Sequence, residues 1–201
     1  MSAVLPSDPL PIVLPFRPAR LSVDDYHKLL AAGTLADGQR IELLRGVLVE
    51  KMTHLPLHAG VVAVLQSLLS RILPPGYHLR CQLPITLADS EPEPDLAIVR
   101  GKPSDFLTRH PGPSDTPLVI EVSASSLVTD RFKAELYAQS GVATYWIVNL
   151  DERRIEVYTT PAGTNYRDVR EWLPGALAPV AVDGRDFGAI AAADVLPARL
   201  L

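Results

Sequence analysis

The sequence predicts one α/β domain built on a mixed β-sheet, and three observations carry that prediction. The chain has 201 residues, 47% hydrophobic and 21% charged, which suffices for a single buried core. An apolar run at 118–122 is followed by a helical stretch that stops at Gly141, then by a second apolar run at 145–148. Such a strand–helix–strand unit implies a parallel crossover. Further short runs at 96–99 and 155–158 have the length of additional strands in the same sheet.

The elements follow in order. Residues 1–18 hold five of the 19 prolines among small and apolar side chains, which suggests an extended arm preceding a domain over 19–201. Ser22 can cap a helix and Asp25 can reach back to it, so a helix is expected from there to Ala32, stopped by Gly33. Residues 40–50 read as two short strands joined around Gly46. From 56 to 73, Leu57, Val61, Val64, Leu65, Leu68, Leu69 and Ile72 recur at helical spacing until Pro74-Pro75-Gly76 ends the run. Residues 77–87 have β character, 101–117 are a proline-rich loop, and 130–140 form the crossover helix. Residues 166–169 read as another strand, whereas the alanine-rich end gives no clear element.

Composition narrows the function classes. No apolar run approaches the ~18 residues that a membrane-spanning helix needs. The N-terminus lacks a basic segment followed by a long apolar core, so no signal peptide is expected. Cys81 stands alone, which rules out an internal disulfide and a cysteine-rich zinc site; a reducing, cytoplasmic setting is expected. The net charge of -4 argues against gripping nucleic acid mainly by charge, and leaves local contacts within a cleft open.

Two carboxylates interrupt apolar strand runs. Asp95 precedes 96–99, and Glu121 breaks 118–122. A carboxylate removed from water costs several kcal/mol unless it is paired, hydrogen-bonded or metal-bound. If the two strands are neighbours, Asp95 and Glu121 converge at one end of the sheet, and a divalent cation is the simplest group to hold them together. All-oxygen ligands favour Mg2+ or Mn2+. The competing reading is a structural pair held by an arginine or a backbone amide. Lys133 shares a helix face with Asp130 and Tyr137 and could reach that pair; the plainer alternative is a solvated lysine paired with Asp130 or Glu135.

These residues also carry a resemblance. Glu93-Pro94-Asp95-Leu96, the stretch from Pro117 through Glu121 to Ser123, Asp130-Arg131-Phe132-Lys133, Tyr137-Ala138, Gly141-Val142 and Tyr145-Trp146-Ile147-Val148 stand in an order and spacing similar to the putative restriction endonuclease family. That family belongs to the PD-(D/E)XK nuclease superfamily. Arg40-Ile41-Glu42-Leu43-Leu44-Arg45-Gly46 and His58 are similar to its N-terminal half, and the likeness covers roughly residues 22–195. It implies a restriction-endonuclease-like mixed sheet flanked by helices, with an N-terminal helix and a β-hairpin added. It implies that Asp95 and Glu121 bind metal, that the Val122 carbonyl completes the shell, and that Lys133 replaces the lysine usually found where Ser123 stands. Glu42 matches an upstream acid that faces the same site; its other reading is an exposed residue of an alternating strand. His58 could hydrogen-bond a phosphate or a carboxylate, or serve the fold. Ser123-Ala124-Ser125-Ser126 stands where the family commonly has a Ser-Pro pair, and Asn149 replaces an acid common after the Tyr-Trp strand.

The resulting expectation is a Mg2+-dependent endonuclease acting on DNA, with Mn2+ able to substitute and Asp95, Glu121, Lys133 and Glu42 at its centre. The alternatives are a catalytically silent nuclease fold serving as an interaction or nucleic-acid-binding module, and a hydrolase of a small phosphorylated substrate. A homodimer or higher homo-oligomer is expected from the apolar arm, and Lys133→Ala is expected to leave the fold intact.

Overall fold

A computed structural model describes residues 18–35, 40–51 and 55–198. The chain opens with α1 (Val23–Ala31), whose N-terminus carries the reciprocal Ser22–Asp25 capping box. The hairpin of β1 (Ile41–Leu44) and β2 (Val47–Glu50) follows, and α2 (Pro56–Ile72) is entered through Pro56 in its first turn. The main sheet is built from β3 (Tyr77–Cys81), β4 (Leu96–Arg100), β5 (Leu118–Ser123), β6 (Thr144–Asn149), β7 (Arg154–Ala162) and β8 (Asn165–Trp172). These six strands are neighbours in chain order. Every pairing is antiparallel except β5 with β6, which run parallel and are linked by α3 (Leu127–Ser140).

Period-two alternation sends each central strand's side chains to two separate cores. Leu96, Ile98, Ile120 and Trp146 meet Val61, Leu65 and Leu69 of α2 on one face. Ala97, Val99, Val119, Tyr145 and Ile147 meet Tyr137 and Ala138 of α3 on the other. Covering both faces accounts for the nearly continuous apolar runs of β4, β5 and β6.

The structure differs from the sequence reading in three places. β character was expected through residue 87, yet β3 ends at Cys81. Gln82 adopts a left-handed φ of 51°, Pro84 offers no N–H, and the chain folds back through Ile85 N–H to Pro92 O and Leu87 N–H to Ser90 O. Ile85 and Leu87 are therefore buried without belonging to a strand. α3 begins at Leu127 rather than 130, a start that the sequence conceals because the helix buries Asp130 and Lys133 beside Ala134, Tyr137 and Ala138. The alanine-rich end forms β9 (Leu177–Val182), β10 (Arg185–Ala191) and the short α4 (Ala192–Val195). Ala178, Val180 and Val182 of this hairpin cover the α2-side core. The arm expected over 1–18 lies, Pro18 apart, outside the described residues. Among the described residues no helix is long and apolar enough to cross a membrane.

The β1–β2 turn is set by Arg45 and Gly46, with φ of 48° and 75°, both left-handed as a two-residue hairpin requires. A Cβ on Gly46 would lie 2.7 Å from Arg20 Cβ and 2.8 Å from Leu21 O. Gly46→Ala is expected to cost roughly 2 kcal/mol or more, combining left-handed strain with overpacking. Gly33→Ala has a similar φ of 63° but open space around it, and should cost only about 1 kcal/mol. Urea midpoints compare the two; equal losses would remove the steric part of the argument.

Candidate active site

The β4–β5 ladder builds the site. Leu96 lies opposite Ile120, so one step outward sets Asp95 against Glu121 at the sheet's end. Their backbones and side chains interlock. The Asp95 N–H donates to Glu121 Oε2 at 3.1 Å, and the Val122 N–H donates to Asp95 Oδ2 at 2.9 Å. His58, in the first turn of α2, places Nε2 3.0 Å from Asp95 Oδ2, and Gln82 Nε2 reaches Asp95 Oδ1 at 3.4 Å.

Lys133 enters from α3. Its Nζ lies 3.1 Å from Glu121 Oε1, and 2.9 and 3.1 Å from Glu42 Oε1 and Oε2. Glu42 Oε2 also accepts from the Glu93 N–H at 3.1 Å. The hairpin thus delivers Glu42 inward, 3% exposed, and not onto an open strand face. Lys133 is 4% exposed and does not take the solvated pairing considered from sequence. Asp130 instead accepts from Ser126 Oγ at 2.6 Å, and Glu135 pairs with Arg45 at 3.2 Å.

Asp95, Glu121, Lys133, Glu42 and Val122 all line one half-open cleft of about 110 Å³, together with His58, Asp130, Lys51 and Glu93. Four of these carboxylates (Glu42, Asp95, Glu121 and Asp130) are buried, against a single buried lysine. The electrostatics reflect that imbalance. Burial pushes Glu121 up to about 8; Lys133 pulls it down, while Asp95, Asp130 and Glu42 push it further up. Burial also raises Asp130. Burial would raise Asp95 too, but the His58 contact and the Val122 N–H outweigh it and hold the carboxyl below its usual value. Burial pulls the Lys133 ammonium down, yet Glu121 and Glu42 overcome this and keep it protonated far above neutral pH.

Among the described residues no three His, Cys, Asp or Glu side chains form a ready cage for a metal ion. The donor set is nonetheless suited to a hard cation: two interlocked carboxylates, a strand-end carbonyl, and a surplus of buried negative charge. Sequence reasoning missed Gln82, Lys51 and Glu93. Gln82 was hidden by the expectation of a continuous strand, although Gln82-Leu83-Pro84 carries the proline that breaks it. Lys51 and Glu93 meet only through tertiary folding. The other histidines of the described residues serve elsewhere. His27 bonds Glu91 at 2.8 Å, His78 bonds Gly101 O at 3.0 Å, and His110 lies against His27. His54 falls outside the described residues.

Comparison with known proteins adds two findings. A family model described as Uma2, putative restriction endonuclease, matches residues 23–181. Among solved structures, the chain is similar to a putative nuclease belonging to DUF820 from Anabaena variabilis ATCC 29413, determined at 1.96 Å resolution. The two share 18% identity and a TM-score of 0.64 over 89% of this chain and 98% of that one, a likeness of fold. No curated protein matches.

Proposed function

Since the chain belongs to the Uma2 family of putative restriction endonucleases, we propose that it is a divalent-metal-dependent endonuclease hydrolysing DNA phosphodiester bonds. The observation that carries this reading is the opposition of Asp95 and Glu121 across neighbouring strands, in a cleft with four buried carboxylates and one buried lysine. That surplus suits one dication. Asp95, Glu121 and the Val122 carbonyl would hold Mg2+, or Mn2+ in its place. When bound, such an ion acidifies water and neutralises charge building on a phosphate.

The chain's own residues prepare the cleft. The Val122 N–H and His58 fix the Asp95 carboxylate, and the Asp95 N–H fixes Glu121. Lys133 stays charged throughout, so it serves as a fixed hydrogen-bond donor and electrostatic anchor and not as a proton-abstracting base. Glu42 holds Lys133 from the far side. We assign these residues to a single catalytic domain over 19–201, with 1–18 as an arm.

The direct test is cleavage of single- and double-stranded DNA with Mg2+ or Mn2+, using EDTA as control. Absence of any metal-dependent cleavage would favour the silent nuclease-fold module. On the sequence grounds given above, a two-fold dimer is also expected, and a monomeric mass by light scattering at micromolar concentration would remove it.

A pH dependence follows from Glu121. Its pKa is raised in the fold, so its contribution to stability is fully present below its ordinary value of 4.5 and is lost as pH rises through about 8. A cation held by the ionised carboxylate offsets that loss and displaces a proton. The increase in melting temperature caused by Mg2+ should therefore be larger at pH 8.5 than at pH 5.5. An equal increase at both would show that Glu121 does not ionise on metal uptake.

A further inference from the structure

The cleft holds a second lysine that the reading above leaves without a task. Lys51 directly follows β2, and its side chain is 8% exposed. Its ammonium donates to Glu93 O at 2.7 Å and to Glu93 Oε2 at 3.1 Å. An ammonium has three N–H donors, so one remains. The contrast with Lys133 is one of charge. Lys133 lies between two carboxylates, Glu42 and Glu121, and its charge is more than balanced. Lys51 meets one carboxylate and one neutral carbonyl, and that carboxylate, Glu93, is 29% exposed at the cleft wall.

We infer that Lys51 is the substrate-binding cation of the cleft, donating its remaining N–H to a phosphate oxygen of the bound strand. This rests on the proposed nuclease reading and adds to it the residue that recognises the polyanion. Six carboxylates line the same cleft (Glu42, Glu50, Glu93, Asp95, Glu121 and Asp130), so a phosphodiester entering it meets strong repulsion. Among the described lining residues the lysines are Lys51 and Lys133, and the Lys133 charge is already met by two buried carboxylates. Glu93 does two things for Lys51: it holds the ammonium in the wall and tempers its charge. Because the Glu93 N–H is bound to Glu42 and Asp95 lies two residues on, the phosphate contact is rigidly tied to the carboxylate pair.

The test is binding of a fluorescein-labelled single-stranded oligonucleotide, read by anisotropy in Ca2+ across a salt series, beside steady-state cleavage in Mg2+. Lys51→Gln should weaken binding about three- to tenfold, the scale of one charge-assisted contact in a partly screened site. The slope of log K against log salt should fall by about 0.7, one phosphate contact on a single strand. KM should rise more than kcat falls. Lys51→Arg should keep the slope. Glu93→Gln should tighten binding, because it frees the Lys51 charge. If Lys51 were only a strut for the Asp95 segment, both Lys51→Gln and Glu93→Gln would weaken binding and leave the slope unchanged, which would overturn the assignment. A wild-type protein that cleaves but shows the same slope as Lys51→Gln also overturns it, while leaving the nuclease reading intact. A wild-type protein that neither binds nor cleaves the oligonucleotide defeats both.

Discussion

Lys133→Ala is expected to unfold roughly 6–20 °C below the parent protein in the absence of metal. Removing one partner of a buried ion pair leaves an uncompensated charge and costs about 3–5 kcal/mol. In a domain of this size each kcal/mol moves the midpoint by about 2–4 °C. Here the loss strands the buried Glu42 carboxylate and also removes the ammonium that favours ionisation of Glu121. The sequence reading, in which helix propensity favours alanine and only one side-chain charge is lost, expects the fold to survive this change; the 4% exposure argues the reverse. Two controls separate charge from packing. Lys133→Met keeps the volume and should be nearly as destabilised, and adding Glu42→Gln to it should restore part of the loss. A Lys133→Ala midpoint within 2 °C of wild type would defeat the buried-pair argument.

Asp95→Asn should fail in the opposite way, keeping the fold and losing the chemistry. The amide nearly matches the carboxylate in shape, and its oxygen in the place of Oδ2 still meets both the Val122 N–H and His58. Its NH2 then replaces Oδ1 and faces Gln82 Nε2, for a cost of about 1–3 kcal/mol. Cleavage should fall by about 10²–10³-fold or more, the scale of removing a preorganised electrostatic group. Mg2+ should raise the melting temperature of this variant less than that of wild type. Both are measured on one preparation, so a variant that cleaves normally would take Asp95 out of the mechanism, whereas one that fails to fold would show up in the metal-free melt.

How much of this was legible in the sequence depends on the range of the interaction concerned. α2 was readable because Val61, Leu65 and Leu69 all face one core at helical spacing. β4, β5 and the β5–α3–β6 crossover were readable because strands covered on both faces leave unbroken apolar runs. Asp95 and Glu121 stood out as charges inside those runs. Glu42 was harder to place: an acid in a short hairpin strand looks solvated until the sheet and α3 close over it. Lys51 carried no local signal, and Glu93, though part of the Glu93-Pro94-Asp95 stretch, gave none of its pairing with Lys51, since that contact spans 42 residues. The β9–β10 hairpin was obscured by alanines, which give little contrast between buried and exposed positions.

The long connection between β4 and β5 runs over the surface, with Leu107 83% exposed, and it divides the cleft's residues in two. Glu42, Lys51, His58 and Asp95 precede it; Glu121 and Lys133 follow. A protease nick there would leave each fragment with half a cleft and no way to complete it alone. The two fragments would also share the β4–β5 border as matching sheet edges, so mixing them could rebuild the cleft by complementation. The cutting centre belongs to no single stretch of the chain, and any activity recovered from the two pieces would report that border re-forming.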